Sequence, residues 1–151
     1  MDILEKLLKK DKEELTNTQT AEVEIERLSE LIGEPCMFKI RGLTNKEIKE
    51  LRELNTKKEW HNVKRNGKTV KEEVDVIDTY KLGIDTIVEA TVEPNFRDSR
   101  LREKFGTEVP SDIVEEMLMQ GEILKIANII KQLIGDTDEE TQQDIDEEVK
   151  N

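Results

Sequence analysis

His61 is the only histidine in the 151-residue chain and Cys36 the only cysteine, so the side chains that most often carry chemistry are nearly absent. One histidine excludes two-histidine metal sites and most histidine-based triads within the chain. Beside Trp60, in a basic segment, it reads as an ordinary surface residue. Cys36, with apolar neighbours in an alternating stretch, reads as a buried inert thiol rather than a thiolate nucleophile. The seven glycines are scattered at turns and helix ends, so no phosphate-cradling loop forms. One carboxylate pattern invites a metal: Asp136, Asp138, Glu140, Asp144 and Glu147 fall at positions 1, 3, 5, 9 and 12 of a calcium-loop frame. That frame needs glycine at its sixth position for the sharp turn, and Thr141 stands there. No enzyme, metal site or cofactor is expected.

The remaining chemistry is charge. Lys57, Lys58, Lys64, Arg65, Lys68 and Lys71 against Glu59 alone give residues 57–71 a charge of +5. With Trp60 available to stack on a base, this window supports an alternative reading as a small acidic regulatory protein that binds nucleic acid. The whole chain argues against it: a net charge of -12 and an isoelectric point near 4.7 repel a polyanion. Charged residues make up 40% of the chain and hydrophobic ones 34%. No run of about 18 apolar residues exists, so no membrane span is expected. The first residues alternate charge and leucine, unlike a signal peptide. A lone cysteine excludes a disulfide framework. These features predict a cytoplasmic protein. Ile, Leu, Val and Phe form about 28% of the residues, above the roughly 20% level below which chains stay disordered.

These groups must be positioned by elements legible in the periodicity. Residues 1–20 read as an amphipathic arm, a helix over Asp2–Leu15 followed by a polar linker. Residues 21–135 read as a single α+β domain, mainly helical. A small N-terminal antiparallel hairpin or sheet, Glu22–Leu28 with Cys36–Arg41, precedes a helical bundle. Glutamates opposite Lys39 and Arg41 favour that pairing. Thr44 and Glu47 form a capping box, with Leu43 and Ile48 as its hydrophobic staple. Asn66-Gly67 predicts a tight hairpin with Val63 and Val70 on its arms. Asp75 is expected to cap a helix that Pro94 stops, and a short helix over Ser99–Phe105 ends at Gly106. Pro110 opens the last helical region. Residues 136–151 hold eight acids and one lysine, predicting a solvated, flexible acidic tail.

The last region, Ile113–Ile134, carries 13 apolar residues in 22. Its continuous stripe, flanked by Leu124 and Ile129, is wider than a surface helix needs. Met117, Met119, Ile123, Ile126, Ile129, Ile130, Leu133 and Ile134 are therefore the candidate partner-contact residues, for a client, for a homo-oligomer, or for both. Aspartate at Ile126 and Ile130 is expected to abolish client binding while leaving a folded protein.

Val92-Glu93-Pro94-Asn95-Phe96-Arg97-Asp98, followed by Leu101, Gly106, Val109-Pro110, Gly121-Glu122-Ile123 and Leu133-Ile134-Gly135, resembles the signature of XkdN-like phage tail assembly chaperones. The resemblance spans roughly Ala21–Gly135. It implies a non-enzymatic helper in the cytoplasm of the bacterial host, absent from the mature virion. It further implies binding to the hydrophobic tape measure protein and recruitment of tail tube subunits around it. Under this resemblance Pro94, Asn95, Phe96, Asp98, Gly106, Pro110, Gly121 and Glu122 are structural, holding helices in place rather than touching chemistry.

Overall fold

The computed structural model describes residues 2–136; the acidic tail and its calcium-loop frame, Asp136 excepted, lie outside them. The fold is α+β with helix predominating. The arm forms two short helices, α1 (Ile3–Leu8) and α2 (Lys12–Thr16), in place of the single helix expected, and neither buries a residue. Asp2 caps α1, and the polar run from Lys9 to Asp11 separates the two.

Strand β1 (Thr20–Glu24) pairs antiparallel with β2 (Met37–Arg41). Val23 lies opposite Phe38 and Ala21 opposite Ile40 on one face, while Glu22 faces Lys39 on the other. Buried Val23, Phe38 and Ile40 therefore line the core side. Two features depart from the expected hairpin. Residues beyond Glu24 leave the strand as α3 (Glu26–Ile32), closed by Gly33. The sheet also has a third strand, β5 (Thr91–Glu93), on the far side of β2.

Helix α4 (Asn45–Leu54) begins with the expected capping box between Thr44 and Glu47. It leads into a second, two-stranded sheet of β3 (Thr56–Arg65) and β4 (Lys68–Ile77), which interrupts the anticipated helical bundle. At its tip Asn66 and Gly67 both take positive φ, 52° and 76°, as a two-residue turn between twisted strands requires. The ladder runs ten pairs, from Thr56 opposite Ile77 to Arg65 opposite Lys68. Asp75 thus belongs to a strand, and Asp78 caps α5 (Thr79–Ala90) instead. Buried Asn55 secures the base: its carbonyl accepts from the Asp78 N–H at 2.9 Å, and its side-chain amide donates to Leu51 and Asp85.

Most of the motif residues sit at turns, caps and helix starts. Pro94 follows β5 after a cis peptide bond, and Phe96 is fully buried, edge-on to Phe38 with ring centroids 6.1 Å apart. The Asn95 side chain accepts from the Arg97 N–H, and Asp98 caps α6 (Ser99–Phe105). Gly106 ends α6 at a φ of 65°, where a β-carbon would be strained. Pro110 occupies the first turn of α7 (Pro110–Met117). Leu118 and Met119 then break the expected continuous helix, and α8 (Gln120–Leu133) begins. Glu122 accepts from the Met119 N–H at 2.7 Å and pairs with Arg27 of α3 at 2.9 Å. Burial pushes the Glu122 carboxyl up, but Arg27 and the Met119 N–H together hold it below its ordinary range. Gly121 is the exception. Its φ is ordinary and a β-carbon there meets nothing within 4 Å, so no structural account of it emerges.

Arg41 joins β2 to two helices, donating to both Glu47 oxygens at 2.9 and 2.6 Å and to Glu89 at 3.3 Å. Chiefly through that guanidinium, the Glu47 carboxyl is held at about 2. A carboxylate depressed in the folded state contributes stability above its unfolded value, near 4.5, and loses it as pH falls toward 2. Chemical denaturation of the native chain should therefore weaken by on the order of 2 kcal/mol more than Glu47→Gln as pH drops from about 6 to about 3. Glutamine keeps the cap geometry but not the charge. Equal acid lability of the two proteins would refute the assignment.

Candidate functional site

The lone histidine and the lone cysteine lie in different elements. His61 is exposed on β3, 3.0 Å from Glu59, and Cys36 sits half-buried just before β2. Burial first, and the nearby Glu24 carboxylate second, push the Cys36 thiol up, away from the thiolate that reactivity needs. Among the described residues no group of three or more His, Cys, Asp or Glu side chains could hold a metal ion.

The apolar stripe of the C-terminal region is placed in a way that alters its meaning. Ile123, Ile126 and Ile130 point into the protein's own core with Ile113, Val114 and Leu118 of the preceding segment. Ile126 is 0% exposed. They pack against α5 and the sheet, so the surface expected from them is already covered from within. Met117, Ile129, Leu133 and Ile134 are half-buried at the margin of this core, and Met119 alone of the candidate set is open, at 58% exposure. Leu124, on the outer side of α8, is 55% exposed.

An open apolar surface does exist, but three helices build it. A groove of about 340 Å³ runs between α4, α5 and α8. Ile48, with the nearly buried Leu43 and Leu51, lines the α4 side, Leu82 and Gly83 the α5 side, and Ala127 and Ile134 the α8 side, where Ile130 is only 2% exposed. Arg52, Lys131 and Asp136 add charge to its lining. Gly83 is a mid-helix glycine whose added β-carbon would meet nothing within 4 Å. No turn or close approach asks for glycine there, and its effect is to keep the groove deep. Only Ile130 and Ile134 of the groove belong to the expected contact set. The contribution of α4 and α5 was hidden because each shows a narrow apolar stripe, and the concavity arises only when the three stripes meet.

A groove of this kind can accept the apolar face of a foreign helix, with the charged side chains at hand to fix its register. Among the described residues its ionisable lining groups are Arg52, Lys131 and Asp136. Among the described residues no helix is long and apolar enough to cross a membrane.

Comparison with known proteins bears on what such a surface serves. A family model described as phage XkdN-like tail assembly chaperone protein matches residues 4–150. YqbN of Bacillus subtilis strain 168 is 31% identical over 137 residues, covering 88% of this chain and 86% of its own. The phage-like element PBSX protein XkdN of the same strain is 29% identical over 120 residues, covering 79% and 75%. The crystal structure of YqbN superposes with a TM-score of 0.57 at 24% identity, covering 78% of this chain and 86% of that one, a likeness of fold.

Proposed function

Because this chain belongs to the XkdN-like family of phage tail assembly chaperones, we propose that it binds the tape measure protein of its phage or prophage, keeps it soluble, and helps recruit tail tube subunits to it. The observation that carries this reading is the open groove between α4, α5 and α8. A long tape measure chain presents helices with apolar stripes before the tube encloses it, and such stripes aggregate in water. Laying one stripe into the groove removes it from solvent while the acidic surface of the chaperone faces outward. At a net charge of -12 per chain, chaperones along one client repel their counterparts on another and hold the complexes apart. Met119, at the start of α8, and Leu124, on its outer side, offer further exposed apolar surface. This work belongs in the host cytoplasm during assembly and leaves no role in the finished particle.

The test is co-expression of the full chain with the tape measure protein from the same phage. The client should move from the insoluble to the soluble fraction and co-purify with the chain. A client equally soluble with and without the chain would overturn the reading.

A further inference from the structure

The arm carries an apolar face that its own chain leaves open. Ile3, Leu4, Leu7 and Leu8 fall on one side of α1. All four are between 47% and 74% exposed, and neither α1 nor α2 buries a residue. Six residues are fewer than the roughly 12–15 that an isolated helix needs in water, so a surface that covers these side chains is what holds α1 together. At about 100° per residue, Glu5 borders the stripe beside Leu8, and Lys6 borders it beside Ile3.

The arm is rooted at one end of the groove between α4, α5 and α8. The Gly42 N–H donates to the Gln19 carbonyl at 2.8 Å. A β-carbon at Gly42 would lie 3.3 Å from the Leu133 carbonyl oxygen, so glycine eases a close approach there. Gly42 precedes Leu43 and Leu133 precedes Ile134, and both of those line the groove. The chain therefore leaves the body where the α4 and α8 sides come together. With α2 kept helical, residues 9–19 reach up to about 30 Å. The stripe of α1 is about 7.5 Å long, and the α5 side of the groove, from Thr79 to Thr86, about 10 Å. The charges fit as well. Arg52 stands on the α4 side, with Lys131 and Asp136 on the α8 side. A helix lying with Glu5 toward Arg52 turns Lys6 toward Asp136.

We propose that two copies of this chain exchange arms, each laying the apolar face of its α1 into the other's groove against Ile48, Leu82, Ala127 and Ile134. The described course of the arm holds that face off its own body, so one chain alone leaves stripe and groove both open. A second copy related by a two-fold axis near Gly42 covers both stripes and both grooves, because each root then lies beside the other's groove. The exchange keeps two adhesive surfaces of the free protein out of water. On the proposed reading that the same groove takes the tape measure protein, and resting on that reading, a client helix displaces the arm and opens the dimer.

Disulfide trapping in the full chain tests the exchange. With Cys36→Ser, the pair Leu4→Cys and Gly83→Cys in one chain should give a disulfide-linked dimer under mild oxidation, since the bond forms only where Cα atoms come within about 7 Å. Leu31, 72% exposed on α3, supplies the collisional background: Leu31→Cys with Gly83→Cys should link at least about fivefold less. In sedimentation the native chain should have twice the mass of one 17.5 kDa chain. The exposed double variant Leu4→Lys, Leu7→Lys should halve it, with an unchanged circular dichroism spectrum. A disulfide closed within one chain assigns the arm to its own groove and overturns the exchange. So does linking no greater than the Leu31→Cys background, a native chain of single mass, or a dimer that the lysine variant leaves intact. No client is present in either measurement, so failure here leaves the tape measure reading standing, and failure of the co-expression test leaves the exchange standing.

Discussion

Ile126→Asp is expected to unfold the protein rather than merely silence it. Ile126 is fully buried on α8, in the cluster that also holds Ile84 and Ile87 of α5 and Ile40 of β2. An aspartate there has either to bury a charge without a partner or to take up a proton, and it vacates the volume of the isoleucine as well. Together these cost several kcal/mol, against a total stability of about 5–15 kcal/mol for a domain. Thermal melts followed by circular dichroism should show no cooperative transition, or a midpoint lower by at least about 10 °C. Ile126→Val, which removes one methylene, should cost only about 1 kcal/mol. A folded Ile126→Asp protein that melts within a few degrees of the native chain would show that α8 is not part of the core.

The burial of Ile126 reverses what the stripe suggests when read by itself. Periodicity reports that one face of a segment avoids water, but burial in the same chain and burial against a partner produce the same pattern. The isoleucines of α8 therefore could not reveal who covers them. What is local was legible. The Thr44–Glu47 capping box, the Asn66-Gly67 turn and the Gly106 stop each depend on residues close together in the chain, and all form as their spacing predicts. The features that escaped depend on distant partners. Strand β5 is three residues long and exists because β2, some fifty residues earlier, offers it an edge. The hairpin extends past Asp75 because Lys57 and Thr56 continue the ladder opposite Val76 and Ile77, overriding a plausible cap with ten cross-strand pairs. The break at Leu118–Met119 had a faint signal in Glu122, which reaches back to the Met119 N–H. Methionine at the cap position offers no oxygen to complete the pattern, so nothing marked the start of a new helix.

The groove shares this non-local character, and Gly83 allows it to be tested apart from the fold. Filling it with a larger residue from the protein's own backbone should block a client helix without opening the core, because the added β-carbon meets nothing within 4 Å. Gly83→Leu places a branched side chain among Leu43, Leu51, Leu82 and Ile130, where the client is proposed to lie. It also replaces the costliest helix-interior residue after proline with a good helix former, which should raise stability by roughly 0.5–1 kcal/mol. The two effects have opposite signs, and that makes the outcome unambiguous. Titration of an apolar tape measure helix should show affinity reduced at least about tenfold, equivalent to 1.4 kcal/mol, while the melting midpoint stays level or rises. Gly83→Ala, shorter by three carbons, should gain similar stability and lose far less binding. Undiminished binding by a stably folded Gly83→Leu protein would move the client off this groove and onto another of the exposed apolar groups, Met119 and Leu124 among them.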